Sequence, residues 1–124
     1  MSNLQLSLKQ KWFDMTKSGV KTEDYREVTP YWCAVLLTYQ GDKKSKIFWE
    51  SEIERRGYTF SFFGKTKPLD FYFNIMTLGY PKSTDTERII KLEHKGIDIR
   101  TGNPDWGAIE GKLYFVIKHG EIFA

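Results

Sequence analysis

Lys21, Asp24 and Arg26 are the residues of this 124-residue chain whose types and spacing point most directly to chemistry. A lysine binds phosphate as a point charge, and when desolvated its pKa falls and it can serve as a base or nucleophile. An aspartate orients a neighbouring cation or accepts a hydrogen bond from a base edge. An arginine offers a rigid fork of donors to phosphate, carboxylate or a guanine edge. In a regular strand Asp24 and Arg26 share a face and Lys21 points to the other, so a bulge is needed to bring all three together. The plain alternative is a solvent-facing strand with ordinary ion pairs, each contributing little.

Stiff backbone must position these groups. Leu4, Leu6 and Leu8 alternate with Gln5 and Ser7, which predicts a short half-buried strand. Residues 9–18 carry Trp12, Phe13, Met15 and Thr16 near helical spacing, and Gly19 follows as a helix stop. Residues 20–28 read as a charged strand. Pro30 opens a predicted helix over 30–39, with Trp32, Val35, Leu36 and Tyr39 on its buried face. Gly41 to Lys44 reads as a turn, 45–50 as a strand, and 51–57 as a charged connection. Residues 58–63 read as a strand, 64–68 as a basic turn and 69–78 as the strongest strand of the chain. Gly79-Tyr80-Pro81 interrupts the pattern. Residues 86–93 and 96–100 read as two strands, 101–111 as a loop and 112–118 as a last core strand, after which Gly120 turns into a tail. The pattern predicts a single α+β domain over 1–124, with six or more strands curled into a barrel and one to three short helices.

Composition narrows the function. No apolar run approaches the roughly 20 residues that span a bilayer, and residues 1–10 show no secretory signal. The single cysteine, Cys33, rules out an internal disulfide and fits a reducing, cytoplasmic setting; on an apolar helix face it reads as a small buried hydrophobe. His94 and His119 have no cysteine pair near them, so no metal or organic cofactor is implied, and His94 reads as an exposed strand residue. No phosphate-binding glycine loop and no nucleophile elbow is present. The net charge is +3. Residues 43–67 hold seven cations against Glu50, Glu52 and Glu54, a local excess of 7 − 3 = +4. Lys43, Lys44, Lys46, Lys65 and Lys67, interleaved with aromatic residues, suit single-stranded nucleic acid, where phosphates need cations and bases stack.

The run LSLKQKWFDMTKSGVKTEDYR resembles the opening of ASCH domains, of the PUA-like superfamily, which show L-S-[IL]-x-x, a helix, then G-x-K-x-x-E-x-R. Gly19, Lys21 and Arg26 match, and Asp24 stands where the family usually has glutamate, with Glu23 beside it. Pro104 to Ala108, Tyr114 to Lys118 and Gly120 to Ile122 are similar to the end of small phage and bacterial ASCH proteins. The resemblance implies a PUA-like β-barrel with a cleft beside the first helix that binds RNA or nucleotides. It places Ser7, Lys9, Lys21, Glu23, Asp24, Arg26, Asp105 and Trp106 at that cleft. Some members hydrolyse the acetyl amide of N4-acetylcytidine with a lysine, a threonine and a glutamate, and others cut RNA. Lys21 matches the lysine, so it is the one catalytic candidate. Asp24 falls where the threonine would be, and only Asp105 and Glu110 are candidates for the glutamate. An RNA- or nucleotide-binding module is therefore expected first. A small hydrolase using Lys21 comes second, and a protein-interaction domain third.

Overall fold

Polar residues alternating with Leu4, Leu6 and Leu8 build the first strand, β1 (Ser2–Leu8), and all three leucines are buried. The structure, a computed structural model, describes residues 1–56 and 65–123; the strand expected over 58–63 lies outside them. The helix α1 (Gln10–Lys17) buries Phe13 and Thr16. Gly19 then takes φ +85°, which costs glycine little and ends the helix as the sequence predicts. The Lys21 amide donates back to the Met15 carbonyl at 3.0 Å, fixing the path from α1 into the strand β2 (Glu23–Glu27).

Seven further elements carry most of the rest: α2 (Pro30–Leu36), β3 (Leu37–Tyr39), α3 (Lys46–Arg56), β4 (Thr66–Pro68), β5 (Phe71–Leu78) and the two long strands β6 (Ile89–Thr101) and β7 (Leu113–Ile122). The class is α+β, with more strand than helix and a barrel-like sheet of five strands. The order in that sheet is β1-β5-β6-β7-β2, and β3 and β4 form a separate ribbon.

The chain forms two compact units, and β2, β6 and β7 contribute residues to both. The first unit holds residues 1–24, 70–96 and 117–124. In it β1 runs parallel to β5, with Leu6 opposite Met76 and Leu8 opposite Leu78, and β5 pairs antiparallel with β6. Leu6, Phe13, Met76, Ile90, Leu92 and Ile117 make its core. The second unit holds residues 25–69 and 97–116. Cys33, Leu36, Leu37, Trp49 and Ile53 are buried there, and Tyr25 packs on Ala108, Tyr114 and Val116. Burial pushes the Cys33 thiol up to about 12, so it stays a protonated small hydrophobe.

Several elements differ from the sequence expectation. Residues 46–56 are one helix, not a strand followed by a connection. The deciding feature is the spacing of Trp49, Glu52 and Ile53, all buried at i, i+3 and i+4, with the Ser45 hydroxyl 3.4 Å from the Phe48 amide at the helix start. The helix expected over 30–39 stops at Leu36, because Leu37, Thr38 and Tyr39 pair with Pro68, Lys67 and Thr66. Its buried residues are Cys33 and Leu36, while Trp32, Val35 and Tyr39 are half-buried. Lys67 accordingly lies in β4 and not in a turn. The two strands expected over 86–100 are one continuous strand from Ile89, preceded by a 3-10 turn at Thr86–Arg88. Gly120 belongs to β7, which runs on to Ile122.

Because Leu6 is fully enclosed, Leu6→Ala should lower unfolding stability in urea by about 2–5 kcal/mol. Tyr72→Ser, on the exposed face of β5, should change it by less than about 0.5 kcal/mol.

Candidate functional site

A polar cluster with almost no exposed surface lies inside the first unit. Lys21 is 2% exposed, Asp24 4%, Asn74 0% and His119 7%. Lys21 sits between α1 and β2, ahead of the regular strand, and there it turns onto Asp24. Its Nζ donates to the Glu23 carbonyl at 2.6 Å and to Asp24 Oδ1 at 3.2 Å. The pair Lys21–Asp24 is thus a buried ion pair, which no strand alternation would have predicted.

Beside it runs a relay of three side chains. Asn74 Nδ2 donates to the Lys118 carbonyl at 3.2 Å and lies 2.7 Å from His119 Nδ1. Asn74 Oδ1 lies 2.7 Å from His94 Nδ1. A carbonyl oxygen only accepts, so Lys118 fixes which end of the amide carries hydrogen. His119 Nδ1 must then accept from Asn74, which puts the His119 proton on Nε2. His94 Nδ1 must donate to Asn74 Oδ1, which leaves the lone pair of His94 on Nε2. His119 Nε2 is buried with no hydrogen-bond partner among the described residues.

Electrostatics agree with this assignment. Burial is the main cause that pushes His119 down to about 4; Asp24 and Glu23 oppose the shift, and Lys21 and His94 add to it. His94 is also lowered, again mainly by burial, with Asp70 opposing and Lys118 adding. Its ring meets Phe71 edge to face at 5.3 Å. His94 is therefore half-buried and bonded, not the exposed residue expected from its charged neighbours. The sequence signal for this relay was Asn74 itself. An amide in the middle of FYFNIMTL, on the same strand face as Met76, has to find partners inside. Among the described residues no group of three or more His, Cys, Asp or Glu side chains could hold a metal ion.

The other expected ligand residues lie as follows. In the first unit Ser7 is half-buried in β1, Lys9 is exposed at the N-cap of α1, and Glu23 is half-buried. Arg26 belongs to the second unit, where its guanidinium lies 5.0 Å from the centre of the Trp32 ring. Asp105 and Trp106 form a 3-10 turn after Asn103, whose side chain accepts from the Asp105 amide. Two tyrosine hydroxyls pin that loop. Tyr25 Oη accepts from the Asn103 amide at 2.9 Å, and Tyr114 Oη accepts from the Ile109 amide at 3.0 Å. Gly102 is required there: a Cβ would lie 2.8 Å from the Tyr25 ring.

The lysines of the middle segment also belong to the second unit, and the fold gathers them. The Gln40 amide donates to the Lys65 carbonyl at 2.9 Å, which sets Lys65 against the turn leading to Lys43 and Lys44. Lys67 faces Thr38 across the ribbon. Lys44 Nζ lies 5.6 Å from the Phe48 ring centre, and Phe48 meets Tyr39 at 5.1 Å. Lys46 opens α3, whose first turn carries no acidic residue. Lys43, Lys46, Lys65 and Lys67 are exposed.

No family model matches the chain, and no curated protein or solved structure matches it either.

The site generates two predictions. His119 unfolded has an ordinary value of 6.5, and folded about 4. The unfolded chain therefore binds the proton first, so stability is fully present above pH 6.5 and is lost as pH falls towards 4. The loss amounts to about 3 kcal/mol for this group. Urea unfolding at pH 7 and pH 4.5 should show a smaller pH-dependent loss in His119→Gln than in the wild type. Lys21→Met leaves a buried carboxylate without its ammonium and should cost about 3–5 kcal/mol. Lys21→Met combined with Asp24→Leu should recover much of that loss in the same assay.

Proposed function

We propose that the chain is an RNA-binding module, and that the basic face of its second unit makes the contact. The observation that carries this reading is the convergence at the start of α3. Three lysines, Lys43, Lys44 and Lys46, crowd a helix N-terminus, where the backbone dipole is already positive. Lys65 is drawn to the same turn, and the Tyr39–Phe48 ring pair stands beside it. Helix N-termini and lysines both favour phosphate, and aromatic rings offer stacking surface to unpaired bases. Asp42 and Glu50 are the carboxylates nearest in sequence, so the local balance stays positive. This arrangement tracks a backbone and stacks bases. It reads no base edge through a fixed fork, which favours single strands over a specific duplex site.

The reading agrees with the ASCH, PUA-like resemblance, whose members bind RNA or nucleotides. A buried lone cysteine suits the reducing cytoplasm in which RNA is handled. No helix among the described residues is long and apolar enough to cross a membrane. The hydrolase alternative has less support. A general base must reach its substrate, whereas the Lys21 nitrogen is turned onto the Glu23 carbonyl and the Asp24 carboxylate in a site nearly closed to solvent.

Fluorescence anisotropy with a labelled 12-nucleotide oligo-uridine tests the proposal. If about three phosphates are neutralised, the slope of log affinity against log salt should be about −2. Lys43→Glu with Lys44→Glu should weaken binding at least about tenfold and flatten that slope by about 1.4, with the circular dichroism spectrum unchanged. Binding that ignores salt, or that the double variant leaves intact, would overturn it.

A further inference from the structure

A second surface of the same unit has the opposite character. A groove of about 960 Å³ opens where Val28, Pro30 and Leu113 meet one side of α3 at Ile53. Its floor is apolar: Ile53 is 9% exposed and Leu113 is 41% exposed, a large hydrophobic side chain left partly in water. Its rim is acidic. Among the described residues, Glu27, Glu50 and Glu54 line it against one cation, Lys112, a balance of 1 − 3 = −2 in a chain whose net charge is +3.

The three carboxylates are not equivalent. Glu27 is answered by Lys112, whose Nζ lies 2.7 Å from Glu27 Oε1, and that hydrogen bond is the main cause that raises Lys112. Glu50 and Glu54 have no ion-pair partner among the described residues, and both are exposed. They stand four residues apart on α3, one helical turn, on the same side as each other and on either side of Ile53 in sequence. Like charges at this spacing repel and weaken a helix slightly. A cation placed between them would relieve that repulsion, and an apolar body attached to it would cover Ile53 and Leu113.

We propose that this groove binds a small amphipathic organic amine, with its ammonium at Glu50 and Glu54 and its aliphatic or aromatic body on the Val28, Pro30, Ile53 and Leu113 floor. The volume favours a small molecule. It lies within the range of roughly 300–1,000 Å³ that single drug-sized ligands occupy, whereas a bound peptide extends beyond such a pocket. The charge selects the sign of the ligand, and the floor selects an amine with a body over a simple metal ion.

Isothermal titration with 4-phenylbutylamine tests this, with 4-phenylbutanol as the uncharged match and a short Lys/Leu peptide as the competing occupant. The amine should bind about tenfold or more tightly than the alcohol, as expected for two partly screened ion pairs. In Glu50→Gln with Glu54→Gln the two ligands should bind within about twofold of each other, with circular dichroism confirming the helix. In amide NMR spectra of the full chain, Ile53 and Leu113 should shift on titration. Equal binding of amine and alcohol, no amine binding, or unchanged selectivity in the double variant would overturn the proposal. Tighter binding of the peptide would overturn it too, in favour of a protein partner.

Discussion

A carboxamide with no exposed surface has to make its hydrogen bonds inside the protein, and Asn74 meets that demand with three strands at once. It sits on β5, accepts from His94 on β6 and donates to His119 and the Lys118 carbonyl on β7. Strand pairing alone tolerates slippage, because each residue looks much like the next to its neighbour's backbone. Side chains do not tolerate it. A shift of one residue in any of the three strands would turn Asn74 or one histidine to the other face and leave a buried amide unpaired. Apolar neighbours such as Met76, Ile90 and Ile117 supply the burial, but many registers would bury them. The amide selects one register. The tautomers of both histidines, and with them the neutral state of His119, follow from that selection.

The same constraint explains what was legible in the sequence. β1, α1 and the Gly19 stop were readable because each follows from local rules: alternation, helical spacing, and a glycine at a left-handed position. The helix α3 was not, because KIFWE carries three apolar residues in a row and reads equally as a strand. Its real signal lay further on, in Ile53 one turn beyond Trp49, among charges that looked like a connection. The end of α2 is hidden from the sequence for a different reason. Thr38 and Tyr39 leave the helix to pair with residues about 30 positions later, a contact no local window contains.

The candidate site divides along the same line. Lys21 and Asp24 are three apart, so their pairing was open to sequence reasoning, though their burial was not. The histidines look unrelated in the sequence because 25 residues separate them and charged neighbours flank His94. Asn74, 20 residues before His94 and 45 before His119, is what joins them. Polar residues in apolar strands deserve the question that charged residues usually receive: which partner makes this burial tolerable?

The helix α3 carries the charge contrast of the second unit in one element. Its start breaks the rule that helix N-termini hold acidic residues: lysines gather there and the first turn has no carboxylate. Glu50 and Glu54 then break a second rule, standing one turn apart with like charge and no cation between them. Either arrangement costs a few tenths of a kcal/mol in an isolated helix. Exchanging Lys46 with Glu50 would relieve both. Local rules that fail together, in a helix anchored by a fully buried Trp49, are the expected mark of surfaces shaped for ligands and not for stability. An anion at the first end and a cation along the second side would each neutralise the charge that the helix alone leaves unbalanced.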